Sequence, residues 1–170
     1  CGALANGVGE ETANKIFDDM SSFSSYAFNK AHAAAYSFVA YRTAYLKCHY
    51  PSEYFAALMT SMMDNSSKIA LYTADLKREG IKVLPPSVNH SLAGFAPNGK
   101  NIRFGLMAVK NLGQGIIERL IKEREQNGPY TSMYDFCLRN YSREFNRKAF
   151  EGLIKSGAMD GLELNRRTML

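Results

Sequence analysis

The chain has 170 residues, 46% of them apolar and 22% charged, with a net charge of +5. That balance excludes a disordered polyelectrolyte and leaves room for one or two folded domains with a substantial core. No apolar run approaches the roughly 18 residues needed to cross a bilayer, and no signal-peptide pattern is present. The three cysteines (Cys1, Cys48, Cys137) are far apart and lack metal spacing, so they read as reduced thiols of a cytoplasmic protein.

Residues 10–23 place Ala13, Ile16, Phe17, Met20 and Phe23 at helical spacing, which predicts an amphipathic helix resting on a core. Glu10 and Glu11 fall in its first turn, where the helix dipole favours them. Asp18 and Asp19 are adjacent carboxylates, but neighbours on a helix point about 100° apart. They read as solvated rather than as a metal clamp.

Tyr26 to Pro51 reads YAFNKAHAAAYSFVAYRTAYLKCHYP and contains no Asp or Glu, while Lys30, His32, Arg42, Lys47 and His49 all lie within it. From Ala31 to Tyr50 it has neither Gly nor Pro, so it predicts a helix, with Asn29 as N-cap. Small residues at 31, 33, 34 and 35 leave room for a bulky partner, and cations without nearby acid suit an anion such as a triphosphate or a nucleic-acid backbone. A buried Ala-rich helix whose Lys and Arg reach outward is the other reading of the same pattern.

Pro51 suits a first helical position, and Tyr54, Phe55, Leu58, Met59 and Met62 fall on one side of the helix it opens. Asp64-Asn65-Ser66 reads as a turn and cap. Residues 67–79 form a further helix striped with Ile69, Ala70, Tyr72, Thr73 and Leu76, closed by Gly80. Ile81–Leu84 predicts a short strand stopped by Pro85-Pro86. Leu92–Phe95 and Ile102–Phe104 flank Asn98-Gly99, the strongest hairpin signal in the chain.

The basic excess lies late in the sequence. Residues 1–100 carry nine Lys and Arg against eight Asp and Glu, whereas residues 101–170 carry twelve against eight. There, LMAVKNLGQGIIERLIKER (106–124) predicts a helix, a tight turn and a second helix. Gly113 and Gly115 would let the turn adopt positive φ and bring bare amides to a phosphate at a helix N-terminus. Lys110, Arg119 and Lys122 are supporting cations. Thr131–Leu138 and Asn146–Lys155 predict further helices, the latter leading into Ser156-Gly157-Ala158-Met159-Asp160. Asn165 then caps a helix with Arg166 and Arg167 in its first turn.

FNKAHAAAY, followed by AYLKCHYPSEYFAALMTS, VLPPSVN and NRKAFEGLIKSGAMD in that order, resembles the family of bacterial replicative DNA polymerase III alpha subunits, the C-family polymerases. The 106–124 segment resembles a helix-hairpin-helix motif, and the later turn, which lacks the Gly-x-Gly, resembles the second of a tandem pair. The resemblance implies a mainly α fold: helical fingers with a nucleotide-pocket motif (1–80), a small strand-rich connector (81–104) and a tandem helix-hairpin-helix DNA-binding module (105–170). It implies a piece of a larger polymerase, consistent with a chain that opens on Cys rather than Met.

What the resemblance further implies is nucleotide binding by Tyr26, Asn29, Lys30 and His32, with Arg42 and Lys47 as further candidates. Ala27 and Ala31 stand where the family often has Gly and Ser. Duplex DNA is expected at Lys110, Leu112, Gly113, Gln114, Gly115 and Arg119 of the first turn, and at Gly157 and Arg166 of the second. The catalytic aspartates and their Mg2+ belong to the family's palm, so no catalytic residue and no cofactor is expected within this chain and it should be inactive alone. Expected partners are duplex DNA, an incoming deoxynucleoside triphosphate and other replisome subunits, with no membrane. Two rivals remain: a non-catalytic helix-hairpin-helix module of a repair or recombination protein, which would have no use for FNKAHAAAY, and a helical scaffold that binds only protein.

Overall fold

The computed structural model describes residues 2–26, 30–140, 145–162 and 165–170, the side chains of Ser25 and Tyr26 excepted. In order the elements are α1 (Gly2–Ala5), α2 (Glu10–Tyr26), α3 (Lys30–His49), α4 (Pro51–Ser61), α5 (Ser66–Arg78), β1 (Val83–Leu84), β2 (Ala96–Asn98) and β3 (Asn101–Arg103). A 3-10 turn (Leu106–Ala108) follows, then α6 (Gln114–Asn127), α7 (Met133–Asn140), α8 (Arg147–Ser156) and α9 (Arg166–Met169). This is the mainly helical architecture with one small sheet that the sequence predicts. Two compact units divide the chain, Cys1–Ala44 and Tyr45–Leu170.

In the first unit the helices form where expected, but α2 does not rest on a core. Phe17, Met20 and Phe23 are 69%, 65% and 73% exposed. Periodicity marks an apolar face without saying what meets it, and here the single turn of α1 is too short to cover the stripe. None of the described residues of α3 is buried either, so the reading of this run as a buried helix is overturned.

The second unit has two cores. The first joins Phe55, Ala56 and Met59 of α4 to Ile69 and Leu76 of α5, with Ile81, Phe95 and Ile102 from the connector. Asn65 caps α5 by accepting from the Lys68 amide. At its far end the amides of Gly80 and Ile81 turn back to the carbonyls of Lys77 and Leu76. That closure needs a left-handed residue, and Gly80 supplies it with φ +75°.

The sheet has the order β1-β3-β2, with β1 parallel and β2 antiparallel to β3. Leu92–Phe95 is not a strand. The hairpin strand is Ala96–Asn98, and its two-residue loop is Gly99-Lys100, since Asn98 pairs with Asn101. Gly99 has φ +60° and Lys100 does not, the order of a type II′ turn, so the loop lies one residue later than Asn98-Gly99 suggests. Leu92 and Ala93 instead offer their carbonyls to the amides of Leu106 and Met107.

The second core centres on Phe136, fully buried with Tyr130 packed edge-on at 4.8 Å between ring centroids. Leu106, Ile117, Leu120, Leu153, Ile154, Met159, Leu162 and Met169 close around it. Val88 of the connector belongs here too: its side chain is 1% exposed, its amide donates to the Ala158 carbonyl, and its carbonyl accepts from Arg124 at 2.9 Å. Asn89 and Tyr130 exchange two hydrogen bonds, at 2.9 and 2.8 Å. Arg139 lies on the Tyr130 ring and donates to Glu123, Asp135 and the Gly128 carbonyl. These clasps fix α6 and α7 around the core.

Candidate nucleic-acid interface

The turn into α6 differs in detail from the sequence expectation. A 3-10 turn, not a helix, precedes it, and the residue with positive φ is Asn111 (+66°). Asparagine tolerates the left-handed region better than other non-glycine residues, and this was the signal in Lys-Asn-Leu-Gly that pattern reading passed over. Gly113 is the N-cap in extended conformation, φ −80° and ψ 153°, so neither glycine is there for its φ. A Cβ at Gly113 or Gly115 would meet nothing within 4 Å. Both positions face open space.

No side chain caps α6. Ile117 makes its backbone bond to the Gly113 carbonyl at 3.2 Å, so the amides of Gln114, Gly115 and Ile116 precede the first i→i−4 bond of the helix. Three N–H groups thus cluster at the positive end of a 14-residue helix, the end whose dipole favours negative charge. Leu112, half-buried against the second core, anchors the turn. Lys110 is exposed in the turn, and Arg119 and Lys122 are exposed further along α6. Gln114 donates to Glu118 at 2.7 Å, which draws its amide side chain along the helix.

A glycine that sequence reading missed holds this turn in place. Gly152 lies inside α8, where glycine costs about 1 kcal/mol relative to alanine. An added Cβ there would sit 2.5 Å from the Lys110 carbonyl oxygen. The backbone of the turn therefore rests directly on α8.

At the second turn Gly157 has φ +83° and its amide bonds back to Ile154. The Arg166 guanidinium lies over it and forms a two-pronged pair with Asp160, with Nε to Oδ1 at 2.7 Å. The hydrogen bond from Arg166 holds the Asp160 carboxyl below its usual range. Asn165 caps α9 by accepting from the Thr168 amide. Gly157 and Arg166 are thus brought together here, about each other.

Of the expected nucleotide residues, Lys30 and His32 lie exposed in the first turn of α3, with the His32 ring 4.3 Å from Tyr36. Asn29 and the Tyr26 side chain lie outside the described residues. Arg42 is exposed, and the Lys47 ammonium stands 5.4 Å from the Phe55 ring centre. Cys48 and Cys137 are free thiols, with Cys137 pushed up by burial. Among the described residues no three His, Cys, Asp or Glu side chains are grouped to hold a metal ion. Nor is any helix among the described residues long and apolar enough to cross a membrane.

A family model described as helix-hairpin-helix motif matches residues 80–169. The DNA polymerase III subunit alpha of Thermus aquaticus is 47% identical over 159 residues, 94% of this chain and 13% of that protein. That of Deinococcus radiodurans is 46% identical over 159 residues, 94% of this chain and 12% of its own length. The subunit of Xylella fastidiosa strain Temecula1 is 45% identical over 170 residues, 99% of this chain and 14% of its own length. The chain thus spans about a seventh of these relatives. By the extent of the first match it belongs to the helix-hairpin-helix motif family, and over nearly its whole length it is similar to a segment of bacterial DNA polymerase III alpha subunits.

Proposed function

We propose that this chain is the part of a bacterial replicative DNA polymerase that positions the incoming nucleotide and holds the duplex without reading its sequence. The observation that carries this reading is the uncapped, solvent-facing start of α6, where two glycines stand with no local need for them. A DNA phosphate placed there accepts from the amides of Gln114, Gly115 and Ile116. Lys110 and Arg119 add charge, and Leu112 holds the turn in register. Gly157 and Arg166 of the second turn would contribute by presenting that turn to the same duplex.

Lys30 and His32 meet the triphosphate in this proposal, Tyr26 packs by the base or sugar, and Asn29 caps the helix. Chemistry at the primer terminus, with its Mg2+, would be supplied by carboxylates elsewhere in the polymerase, in the bacterial cytoplasm alongside other replisome subunits. The similarity to polymerase subunits extends through α2 and α3, which supports a polymerase over a stand-alone repair or recombination module.

The experiment is duplex binding by the 170-residue chain carrying Gly113→Val with Gly115→Val. Both sites have room for the side chain, so the fold should persist while affinity drops at least about tenfold and the salt dependence becomes shallower. Unchanged binding by the folded variant rejects the clamp. For the nucleotide role, His32→Ala in a full-length polymerase should raise KM for nucleotide several-fold with kcat little changed. Unaltered kinetics would remove His32 from the pocket.

A further inference from the structure

Strand β1 lies at the edge of the small sheet, whose order is β1-β3-β2. The carbonyls of Lys82 and Leu84 accept from the amides of Ile102 and Phe104, and the Lys82 amide donates to the Asn101 side chain at 3.1 Å. Both residues therefore direct their backbone groups inward, toward β3. Val83, between them, presents its amide and carbonyl outward, and no hydrogen bond among the described residues uses either group. Along this edge a groove of about 510 Å³ runs between β1 and the C-terminal half of α5. Ile81, Val83, Leu84 and Pro85 give it an apolar lining. Lys77 and Lys82 line it too, both exposed, and among the described residues no carboxylate does.

We propose that this edge receives an extended acidic segment of another protein, added as a fourth strand of the sheet. An antiparallel segment exchanges both bonds with Val83 from a single residue. Val83 packs against the first core together with α5, so the residue opposite it puts its side chain on that face, into the apolar groove. The neighbours of that residue in sequence fall on the other face, with Lys82. The fitting pattern is therefore an apolar residue with Asp or Glu on either side. A DNA backbone offers acceptors alone and would leave the Val83 carbonyl unanswered. A second copy is disfavoured as well: a strand of two residues with Lys82 and Pro85 beside it resists pairing with a like edge, and the copy would bring its own lysines to the contact. This surface is separate from the α6 turn, and the proposal does not rest on the duplex clamp.

The probe is a short peptide of alternating Asp and Val, capped at both ends and fluorescently labelled, titrated into the 170-residue chain with anisotropy as the readout. Saturable binding is expected, with hydrogen exchange at the Val83 amide slowed in the complex. The same peptide with every Val amide N-methylated cannot donate to the Val83 carbonyl, and it should bind about tenfold more weakly. That comparison leaves the protein untouched, so folding cannot confound it. A peptide with Lys in place of Asp should not bind, and Lys77→Ala with Lys82→Ala in the chain should weaken the Asp peptide about fivefold. No saturable binding, indifference to N-methylation, binding of the Lys peptide, or unchanged affinity of the double-alanine chain each overturns the proposal. Displacement of the peptide by a DNA duplex would give the groove to nucleic acid, and self-association of the chain blocked by the peptide would give it to a second copy. Either result also overturns the proposal.

Discussion

At the turn before α6 nothing stands within 4 Å of where a side chain would begin on Gly113 or Gly115, whereas at the turn after α8 the Arg166 guanidinium covers Gly157. The first helix start has no side-chain cap, and the second is capped by Asn165. Two turns that the sequence reads as a tandem pair have opposite ways of satisfying their polar groups. An N-cap side chain is worth about 1 kcal/mol, and Gly115 inside α6 forgoes about as much again relative to alanine. A helix end left so poor in local partners is suited to take one from outside. The second turn uses its groups on itself and is suited to hold shape.

The sharpest way to break this contrast is to remove the support of the open turn. Gly152→Val would drive a branched side chain into the Lys110 backbone, and we expect a loss of about 3 kcal/mol in urea unfolding. A loss under 1 kcal/mol would mean that the turn does not rest on α8. Next in size is the roughly tenfold fall in duplex affinity for the double-valine variant of the open turn.

Arg166→Ala probes the closed turn. Its pair with Asp160 is half exposed, so the expected loss of stability is small, with less effect on duplex affinity than the glycine pair has. The pair also sets a pH dependence. Because Arg166 lowers the folded-state pKa of Asp160, its stabilisation is present above the unfolded carboxyl value of about 4 and is lost as pH falls through the lowered folded value. Arg166→Ala should flatten the acid limb of a stability–pH profile, and an unchanged limb would show that the pair is not coupled to folding.

Smallest in stability but most telling is Gly113→Asp. The carboxylate can cap α6 and complement its dipole, raising stability by a few tenths of a kcal/mol. It would also place a negative charge where the phosphate is proposed to bind. Opposite signs in stability and duplex affinity are expected, and a parallel change would sink the idea that those amides serve an anion.

What could be read before folding was what local physics decides. Asn65 and Asn165 cap α5 and α9 as their sequence positions imply, and the apolar stripe of α4 lines a core together with Ile69, Tyr72 and Leu76 of α5, while Ala70 is exposed. What could not be read depends on encounters between distant segments. The parallel pairing of β1 with β3 joins Val83 directly to Ile102, although β2 lies between them in sequence. Gly152 has a purpose only once the Lys110 carbonyl lies on it. The α2 stripe shows the same limit from the other side, since its spacing is right and its apolar residues still meet water. At the candidate site the glycines were visible as letters, but their reason was misread: the left-handed residue is Asn111, and the glycines leave space.

Val88 has a bearing on where this fold can be cut. Starting a recombinant piece at residue 105 would empty the socket Val88 fills and strip Arg124, half-sunk in the protein, of its carbonyl acceptor. A piece starting at residue 80, where the helix-hairpin-helix match begins, retains both. A piece meant to keep the second core closed should therefore include the turn between β1 and β2, where Val88 acts as a plug for the helices that follow it.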